Sequence, residues 1–464
     1  MIFLLSLTSL IPTFLGNEKR NFYGEGPVPE ELYVLWKVKT GVGRTGSGEN
    51  VWTWTGTGWT GQGVLVEEDG KIFLLIGSLD HRLRKIDAET GEVVWEYEYD
   101  DVIKATPTIA GGIVICGSRK GFGKTLGEKE IYSLRGISLR SGEEIWRMNI
   151  ERTGSYSRDC DGSALIYNGK AYIGAENGIF YCFDPFSGEI HGKLRLFEWR
   201  DVVKHKGNVV VESSPSICDG IIYITAGSGY LFGIEPESLR IVWRFYVGSD
   251  LDGSPVVTSD GFIIFTIEKQ YIEGKGGVMM VDPKKPPEEA VVWFFPTGDR
   301  KFCDWEGGVI GSASINDYYN PYFEKPRLCA FQGIDGYLYL VSLDNLDTLK
   351  LPGPDGRTLY PVPELLFKEY TGGGISTPIL VDDYLISGGY DGKLRVYRIY
   401  YEPCEEGEGV RCASGWYKVR VEKKAEFQTG GSIESTPVVW HGKIFIGSRG
   451  GYIYCLGKKE DYME

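Results

Sequence analysis

The stretch IDAETGEVVWEYEYDD, residues 86–101, ends one copy of a degenerate internal repeat. The last part of this stretch recurs in degenerate form as IVWRFYVGSD at residues 241–250 and, near the start of the chain, as YVLWKVKTGVG at residues 33–43. A tryptophan within an alternating apolar segment is typical of a half-buried β-strand. The earliest copy precedes every complete repeat, so we expect this strand to belong to a repeat at the other end of the chain.

Each repeat carries the same succession of strand and turn signals. A small-residue strand with Ser/Thr-Pro comes first, an Asp-Gly or Asn-Gly hairpin turn follows, and a D..TG step leads to the tryptophan strand. The fullest copies cover residues 58–101, 161–190 and 212–250. Eight repeats begin near Trp59, Lys104, Asp161, Glu212, Asp252, Gly311, Ile375 and Ile433.

Four strands per repeat predict an all-β fold, an eight-bladed β-propeller of four-stranded antiparallel blades. One such sheet cannot bury both faces alone, whereas radial stacking of the sheets does so. The eighth repeat stops at Gly457 after three strands, and residues 33–41 supply the missing one, which closes the ring and removes open sheet edges. Trp36 is expected at the position that other blades give to Trp95, Trp146 and Trp243.

The chain divides into a long propeller and short terminal segments. Residues 33–457 form the predicted propeller, residues 17–32 an extended linker and residues 458–464 a C-terminal tail. The apolar run MIFLLSLTSLIPTFLG at residues 1–16 is too short for a membrane span and indicates a signal peptide or an N-terminal anchor. The alternative is a disordered N-terminus with a wrongly assigned start.

The charge balance excludes one class of partner. The 464 residues include 50 Lys and Arg against 64 Asp and Glu, a formal net charge of -14. Such a surface repels phosphate backbones, so no nucleic-acid partner is expected. The apolar N-terminus predicts a secreted, periplasmic or cell-surface protein that contacts a membrane only through its N-terminal segment.

The cysteines indicate a disulfide but no redox motif. None of the nine forms a CxxC pair, and no CxxCH is present for a covalently attached haem. Cys404 and Cys412 flank the acidic loop EEGEGVR, and a disulfide between them is expected in an exported protein. Cys182 and Cys455 share one register of the repeat and are expected to pack in the core.

The segments IDAETGEVVWEYEYDD and YCFDPFSGE follow the pattern A.D..TG...W. On these motifs the sequence resembles the quinoprotein-like, PQQ-repeat, eight-bladed propellers over residues 33–457. The resemblance implies one of two kinds of function. The catalytic branch of that family binds pyrroloquinoline quinone and Ca²⁺ over the channel, and the non-catalytic branch includes outer-membrane assembly lipoproteins.

The sequence departs from the catalytic branch of that family. Alcohol dehydrogenases of this kind commonly hold the quinone against adjacent cysteines, and no two cysteines are adjacent here. The resemblance therefore favours an exported, non-catalytic propeller that binds a ligand or an envelope or extracellular protein partner. The alternative is a quinone- and calcium-dependent alcohol or sugar dehydrogenase. A scaffold in an envelope complex is a third hypothesis.

One register of the repeat brings charged residues to one end of the predicted channel. The residue just before the small-residue first strand is charged in five repeats, and equivalent positions of a propeller converge around its axis. Trp52, Trp54 and Trp59 of the first repeat are expected to wall the same opening. The predicted ligand-binding residues of this channel mouth are Trp59, Lys104, Asp161, Glu212, Asp252 and Glu434.

Four converging carboxylates repel one another unless a cation or a proton neutralises them. Oxygen ligands suit Ca²⁺, and aromatic walls beside carboxylates suit sugars or cationic ligands. In a second interpretation each acid accepts backbone N–H bonds from the neighbouring blade and only ties the blades together. Pyrroloquinoline quinone is expected only if the chain is a dehydrogenase, and no catalytic residue is assigned. The candidate calcium ligands are Asp161, Glu212, Asp252 and Glu434.

Overall fold

Each repeat folds into one antiparallel sheet whose strands follow the order of the chain, because tight turns join successive strands. The computed structural model of the protein describes residues 6–199 and 208–459. Over these residues eight sheets form the blades of a propeller, which confirms the predicted fold. Helical structure here is limited to three short 3-10 helices, Leu196–Glu198, Pro287–Glu289 and Asp317–Tyr319. None of these described helices is long and apolar enough to cross a membrane.

The blades are numbered in chain order, from the innermost strand outward. Blades 1 to 4 consist of Val64–Glu68, Lys71–Gly77, Arg82–Asp87 and Val93–Glu98; Thr108–Ala110, Ile113–Gly117, Leu134–Ser138 and Glu144–Met148; Leu165–Tyr167, Lys170–Gly174, Ile179–Phe183 and Ile190–Arg195; and Ser216–Cys218, Ile221–Ala226, Tyr230–Glu235 and Arg240–Tyr246. Blades 5 to 8 consist of Val256–Val257, Ile263–Ile267, Gly277–Val281 and Val291–Pro296; Ser314–Ile315, Leu328–Gln332, Tyr337–Pro352 and Leu359–Tyr370; Ile379–Val381, Tyr384–Gly388, Lys393–Pro403 and Gly415–Gln428; and Val438–Trp440, Lys443–Ser448, Tyr452–Gly457 and Tyr33–Lys39.

Several short strands lie outside the four-stranded set of each blade. Leu7–Ile11 pairs with blade 1, Gly24–Glu25 with blade 8 and Val410–Cys412 with blade 7. Thr60–Gln62 pairs with Ser435–Thr436. The remaining short strands form two hairpins, one of Val42–Ser47 with Asn50–Thr55 and one of Asp299–Phe302 with Trp305–Gly307.

The first long strand of the chain closes the ring, as the sequence predicts. Tyr33–Lys39 pairs antiparallel with Tyr452–Gly457 and so becomes the outermost strand of blade 8. In this register Trp36 lies opposite Cys455, and its ring packs 5.8 Å from that of Phe445. The last blade is therefore completed by residues from the beginning of the chain.

A tryptophan of one blade docks on the D..TG turn of the next blade. The Trp36 indole N–H donates to the Ala88 carbonyl of blade 1 at 3.0 Å. Gly91 of the same turn has φ +75° and lies so close that a Cβ atom would come within 2.8 Å of the indole. The contact recurs from Trp95 to Leu139, Trp146 to Pro185, Trp243 to Lys285 and Trp293 to Leu343.

The hydrophobic core lies between neighbouring blades. One cluster combines Leu74 and Ile86 of blade 1 with Ile453 and Cys455 of blade 8. Cys182 is likewise buried, between blades 3 and 4. Both cysteines that share this register of the repeat therefore pack in the core, as predicted.

The segment before the propeller strands lies against the ring. Residues 1–5 of the predicted leader fall outside the described residues, and the signal peptide or anchor over residues 1–16 stays a prediction. Residues 17–32, predicted as an extended linker, lead to the first propeller strand, and Arg20 and Tyr23 within this segment are fully buried. Of the predicted C-terminal tail, residues 460–464 lie outside the described residues.

Residues 12–25, here called the base strap, cross one end of the channel. The Arg20 guanidinium donates to the carbonyls of Phe14 and Pro215 at 2.8 and 2.7 Å and to the Thr13 hydroxyl at 2.7 Å. The innermost strands of four blades donate backbone N–H groups to strap carbonyls, from Ile109 to Pro12 at 2.8 Å, Ile217 to Glu18 at 2.9 Å, Val257 to Lys19 at 2.9 Å and Val439 to Tyr23 at 3.4 Å.

The predicted disulfide between Cys404 and Cys412 is not formed, and both thiols are free. The Cys404 N–H donates to the Trp416 carbonyl on one side of the strand Gly415–Gln428, and Cys412 pairs with Gly415 on its other side. Two strand spacings of about 4.8 Å each separate the flanking segments, which exceeds the Cα–Cα reach of a disulfide.

The docking contact predicts unequal effects of two matched substitutions. Gly188 has φ +72° and its added Cβ would meet the Trp146 ring at 2.6 Å, whereas Gly169 has φ +75° and open space around it. Both Gly→Ala changes should lose about 1–2 kcal/mol of unfolding free energy through left-handed backbone strain. Gly188→Ala should lose about 1–3 kcal/mol more because Trp146 must move. Urea unfolding measures the difference, and equal losses would contradict the docking contact.

Candidate functional site at the channel mouth

The predicted charged residues do share one end of the channel. Lys104, Asp161, Glu212, Asp252 and Glu434 each lie four residues before the innermost strand of a blade. The base strap bonds to residues within those same strands, so each innermost strand runs from the charged end to the strap. The charged end is therefore the open mouth, and the strap covers the opposite end.

A cavity of about 600 Å³ occupies this mouth. Two hairpins rise over it and contribute aromatic side chains, since Trp52 and Trp54 lie on one and Phe302 and Trp305 on the other. Trp54 lies between two guanidinium groups, each 5.6 Å from its ring, those of Arg119 and Arg449. The aromatic side chains that line this mouth cavity are Trp52, Trp54, Trp59, Tyr156, Phe302, Trp305 and Tyr390.

Trp59 separates the mouth cavity from a deeper pocket. The deeper pocket has a volume of about 20 Å³ and contains Asp161, Glu212 and Asp252 in its wall. Trp59 and Glu212 line both spaces. Phe14 of the base strap also lines the deeper pocket, so the strap contributes to its wall and the mouth cavity has a closed far end.

Trp59 is held in a rare backbone conformation. Its φ of +53° lies in the left-handed region, which is uncommon for a bulky residue and is maintained only by surrounding contacts. Its backbone N–H donates to Glu434 Oε2 at 3.2 Å. Glu434 in turn accepts from Arg449 Nη1 at 3.1 and 3.0 Å. Trp305 reaches across the mouth to Trp59, with ring centroids 6.0 Å apart.

The first carboxylate cluster consists of Asp161, Glu176 and Glu212, whose nearest oxygens lie within 4.8 Å of one another. The Lys104 ammonium pairs with Asp161, lies 4.0 Å from Glu176 Oε1 and stands 4.8 Å above the Trp59 ring. Burial disfavours the charged amine, but the three surrounding carboxylates outweigh it and raise the pKa of Lys104. Burial together with repulsion by Asp161 raises the pKa of Glu212 to about 8.

The second carboxylate cluster consists of Asp250, Asp252 and Glu268, also with oxygens within 4.8 Å of one another. The Asn208 amide donates to Asp250 Oδ2 at 2.6 Å. Within the described chain, none of the three acids forms an ion pair, and Asp250 Oδ1 and Glu268 Oε1 are buried without a hydrogen-bond partner. Burial raises the pKa of Asp250 to about 6 and that of Glu268 to about 9.

The four candidate calcium ligands do not form one site. Asp161 and Glu212 belong to the first cluster and Asp252 to the second. Glu434 is engaged by Arg449 and by the Trp59 backbone instead. The predicted ring of acids is thus divided between two carboxylate clusters, and Glu434 is held by an arginine instead.

Three acids of the two clusters were not predicted from the sequence. Glu176 and Glu268 follow the second strands of blades 3 and 5, and Asp250 precedes Asp252 by two residues. In an antiparallel hairpin the end of the second strand returns to the edge where the first strand began. An acid just after the second strand of a repeat is therefore the sequence signal that predicts a position at the channel mouth.

Comparison with protein families finds a match that covers more than half of the chain. The PQQ_2 family, described as "Outer membrane protein assembly factor BamB", matches residues 37–128 and 132–288. The outer membrane protein assembly factor BamB of Yersinia pestis is 21% identical over 174 residues, which are 38% of this chain and 41% of that protein. The chain matches less than half the length of the BamB relatives.

Solved structures share the fold at low sequence identity. BamB from Moraxella catarrhalis superimposes with a TM-score of 0.56 at 12% identity, covering 92% of this chain and 100% of that one. Quinohemoprotein alcohol dehydrogenase from Comamonas testosteroni gives a TM-score of 0.59 at 13% identity, covering 96% of this chain and 80% of that one. At these identities the likeness shows the fold alone.

The two clusters predict that the metal-free protein loses stability as the pH rises. Glu212 and Glu268, with pKa values of about 8 and about 9, keep their protons in the folded state at pH values where the unfolded chain has lost them. The folded state then binds more protons, so the free energy of unfolding falls between about pH 5 and pH 9. Urea unfolding in chelator across this range measures the slope.

Glu268→Gln should flatten that pH dependence, because the amide has no proton to lose. The exposed Glu92→Gln variant is the control and should keep the slope of the parent protein. A free energy of unfolding that rises over the same range would contradict the assignment of protonated acids at the mouth.

Proposed function

Because the chain belongs to the family described as outer membrane protein assembly factor BamB, we propose that it is a non-catalytic propeller that works outside the cytoplasm. It binds a ligand in the mouth cavity and presents its blades to a protein partner. The observation that carries this proposal is the closed-ended mouth cavity of about 600 Å³ with seven aromatic side chains in its wall. Concave, largely apolar spaces with a few convergent polar groups are the usual form of ligand sites.

The ion pairs of the mouth support binding by preformed groups. Lys104, Arg119 and Arg449 are each held by a carboxylate and each lie over a tryptophan ring. Side chains fixed in this way lose little conformational entropy when a ligand arrives. The mouth is therefore suited to hold a ligand without rearrangement of its charged groups.

A protein partner in the cell envelope is proposed from the family. The relative from Yersinia pestis is called an outer membrane protein assembly factor, and the similar structure from Moraxella catarrhalis is called BamB. The acidic surface, with a net charge of -14, favours a partner with a basic face. Export by the N-terminal apolar segment belongs to the same proposal, with the segment retained in the folded protein, because Leu7–Ile11 pairs with blade 1 and Phe14 lines the deeper pocket.

The second candidate function is a quinone- and calcium-dependent alcohol or sugar dehydrogenase. Two observations favour it, the unpartnered oxygens of the second cluster, which fit a cation, and the aromatic walls, which fit a planar ring. The adjacent cysteines implied by the resemblance to the catalytic branch have no counterpart in the sequence. The residues present thus fit a cation and an aromatic body better than they fit the complete quinone site.

Reconstitution separates the two functions. Protein treated with chelator is incubated with pyrroloquinoline quinone and CaCl₂, freed of excess reagent by gel filtration, and tested for quinone absorbance and for dye reduction with ethanol or glucose. The non-catalytic proposal expects no dye reduction above the protein-free rate, whether or not quinone absorbance co-elutes. Dye reduction that requires the quinone and disappears in Asp252→Asn would establish the dehydrogenase instead.

A further inference from the structure

We propose that the channel mouth binds a primary amine. Its ammonium group enters the deeper pocket at Asp252, whose cluster also contains Asp250 and Glu268, and its apolar body lies against the aromatic walls of the mouth cavity. The inference rests on the proposed function, ligand binding in the mouth cavity, and names the chemical class of that ligand.

The protein's own Lys104 shows how this mouth holds an ammonium group. Its Nζ atom pairs with Asp161, approaches Glu176 at 4.0 Å and stands 4.8 Å above the Trp59 ring. Carboxylates on one side and an indole face on the other are the two attractions that a buried ammonium needs. The first cluster thus already holds a cation from the chain itself, and its Glu176 Oε1 and Glu212 Oε2 have no hydrogen-bond partner among the described residues.

Among the described residues, the second cluster repeats the first without a cation. Asp252 holds in blade 5 the place of Asp161 in blade 3, four residues before the innermost strand, and Glu268 and Glu176 both follow second strands. The position that gives Lys104 to the first cluster, in the preceding blade, is occupied by Glu212 in the blade before the second cluster. The repeat therefore places an acid where the counter-ion of the second cluster would stand.

Burial makes the lack of a cation from the described residues costly. Glu268 is 2% and Asp250 6% exposed, and one oxygen of each lacks a hydrogen-bond partner within the described chain. A buried acceptor without a partner costs about 1–3 kcal/mol, and more when it carries charge. A ligand that brings an ammonium group supplies three N–H donors to three carboxylates.

The size of the deeper pocket selects a small cationic head. Its volume of about 20 Å³ admits one group of the size of a water molecule, and Asp252 is part of its wall. A primary ammonium meets this limit, whereas a quaternary ammonium with its methyl groups exceeds it. Trp59 and Glu212 line both this pocket and the mouth cavity, so an alkyl or aryl body can remain among the tryptophans while the head is inside.

The test compares hexylamine with its neutral isostere 1-hexanol by isothermal titration calorimetry on the full-length protein in chelator. Tryptophan fluorescence reports on the mouth in parallel. Hexylamine should bind with one-to-one stoichiometry and at least tenfold more tightly than 1-hexanol, because only the amine neutralises the second cluster. Tetramethylammonium, too large for the deeper pocket, should not compete.

Two variants locate the amine. Glu268→Gln should weaken hexylamine binding at least tenfold, whereas Glu176→Gln, the equivalent acid of the cluster that Lys104 already fills, should weaken it less than threefold. Lys104→Ala vacates the first cluster and should raise the stoichiometry from one hexylamine to two. This last variant keeps both clusters intact, so it tests the proposal even if Glu268→Gln does not fold.

Each outcome decides a different claim. Equal binding of hexylamine and 1-hexanol overturns the amine proposal and leaves ligand binding at the mouth in place. Binding of neither probe, with no change in tryptophan fluorescence, overturns the amine proposal and also argues against the proposed function. Titration with CaCl₂ alone provides the third arm, because Ca²⁺ binding that Glu268→Gln abolishes, without amine binding, assigns the second cluster to a metal ion.

Discussion

The contact between a tryptophan of one blade and the D..TG turn of the next is the interaction on which the rest of this structure depends. Five blades make this contact through an indole hydrogen bond within the described chain, and at Trp36, Trp95 and Trp146 a glycine of the turn also lies against the ring. Trp36 makes the same contact to blade 1 that Trp95 makes to blade 2. The contact between blade 8 and blade 1 is thus of the same kind as the contact between blade 1 and blade 2, and the ring can close.

Because the ring is closed, residues at the same position of different repeats lie around the axis at the same end of the channel. That is why Asp161, Glu212 and Asp252, far apart in the chain, line a single pocket. The two carboxylate clusters then follow from repetition, and they differ because Lys104 stands where the second cluster has Glu212. Of the described residues, three carboxylates and no basic residue line the deeper pocket beneath Trp59, and such a lining favours cations over other ligands.

The sequence predicted the parts of the structure that repetition encodes. Eight blades, the closing strand and one member or two of each cluster were visible because the same residue types recur at one place in every repeat. Glu176 and Glu268 were missed since they follow a different strand and reach the mouth only through the hairpin that returns there. The base strap was not predicted, because nothing periodic marks it and its residues are divided between the predicted leader and the predicted linker. Arg20 is buried by Pro215, nearly two hundred residues away, and local patterns do not show such contacts.

An engineered cross-link tests the closed ring most directly. Tyr33 and Gly457 face each other at the end of the closing strand pair, within reach of a disulfide. In the double variant Tyr33→Cys, Gly457→Cys, mild oxidation should join the two positions within one chain, and peptide mass spectrometry should recover the linked fragments from monomeric protein. Failure to link them, or a link found only between separate chains, would contradict closure and, with it, the convergence of the acids at the mouth.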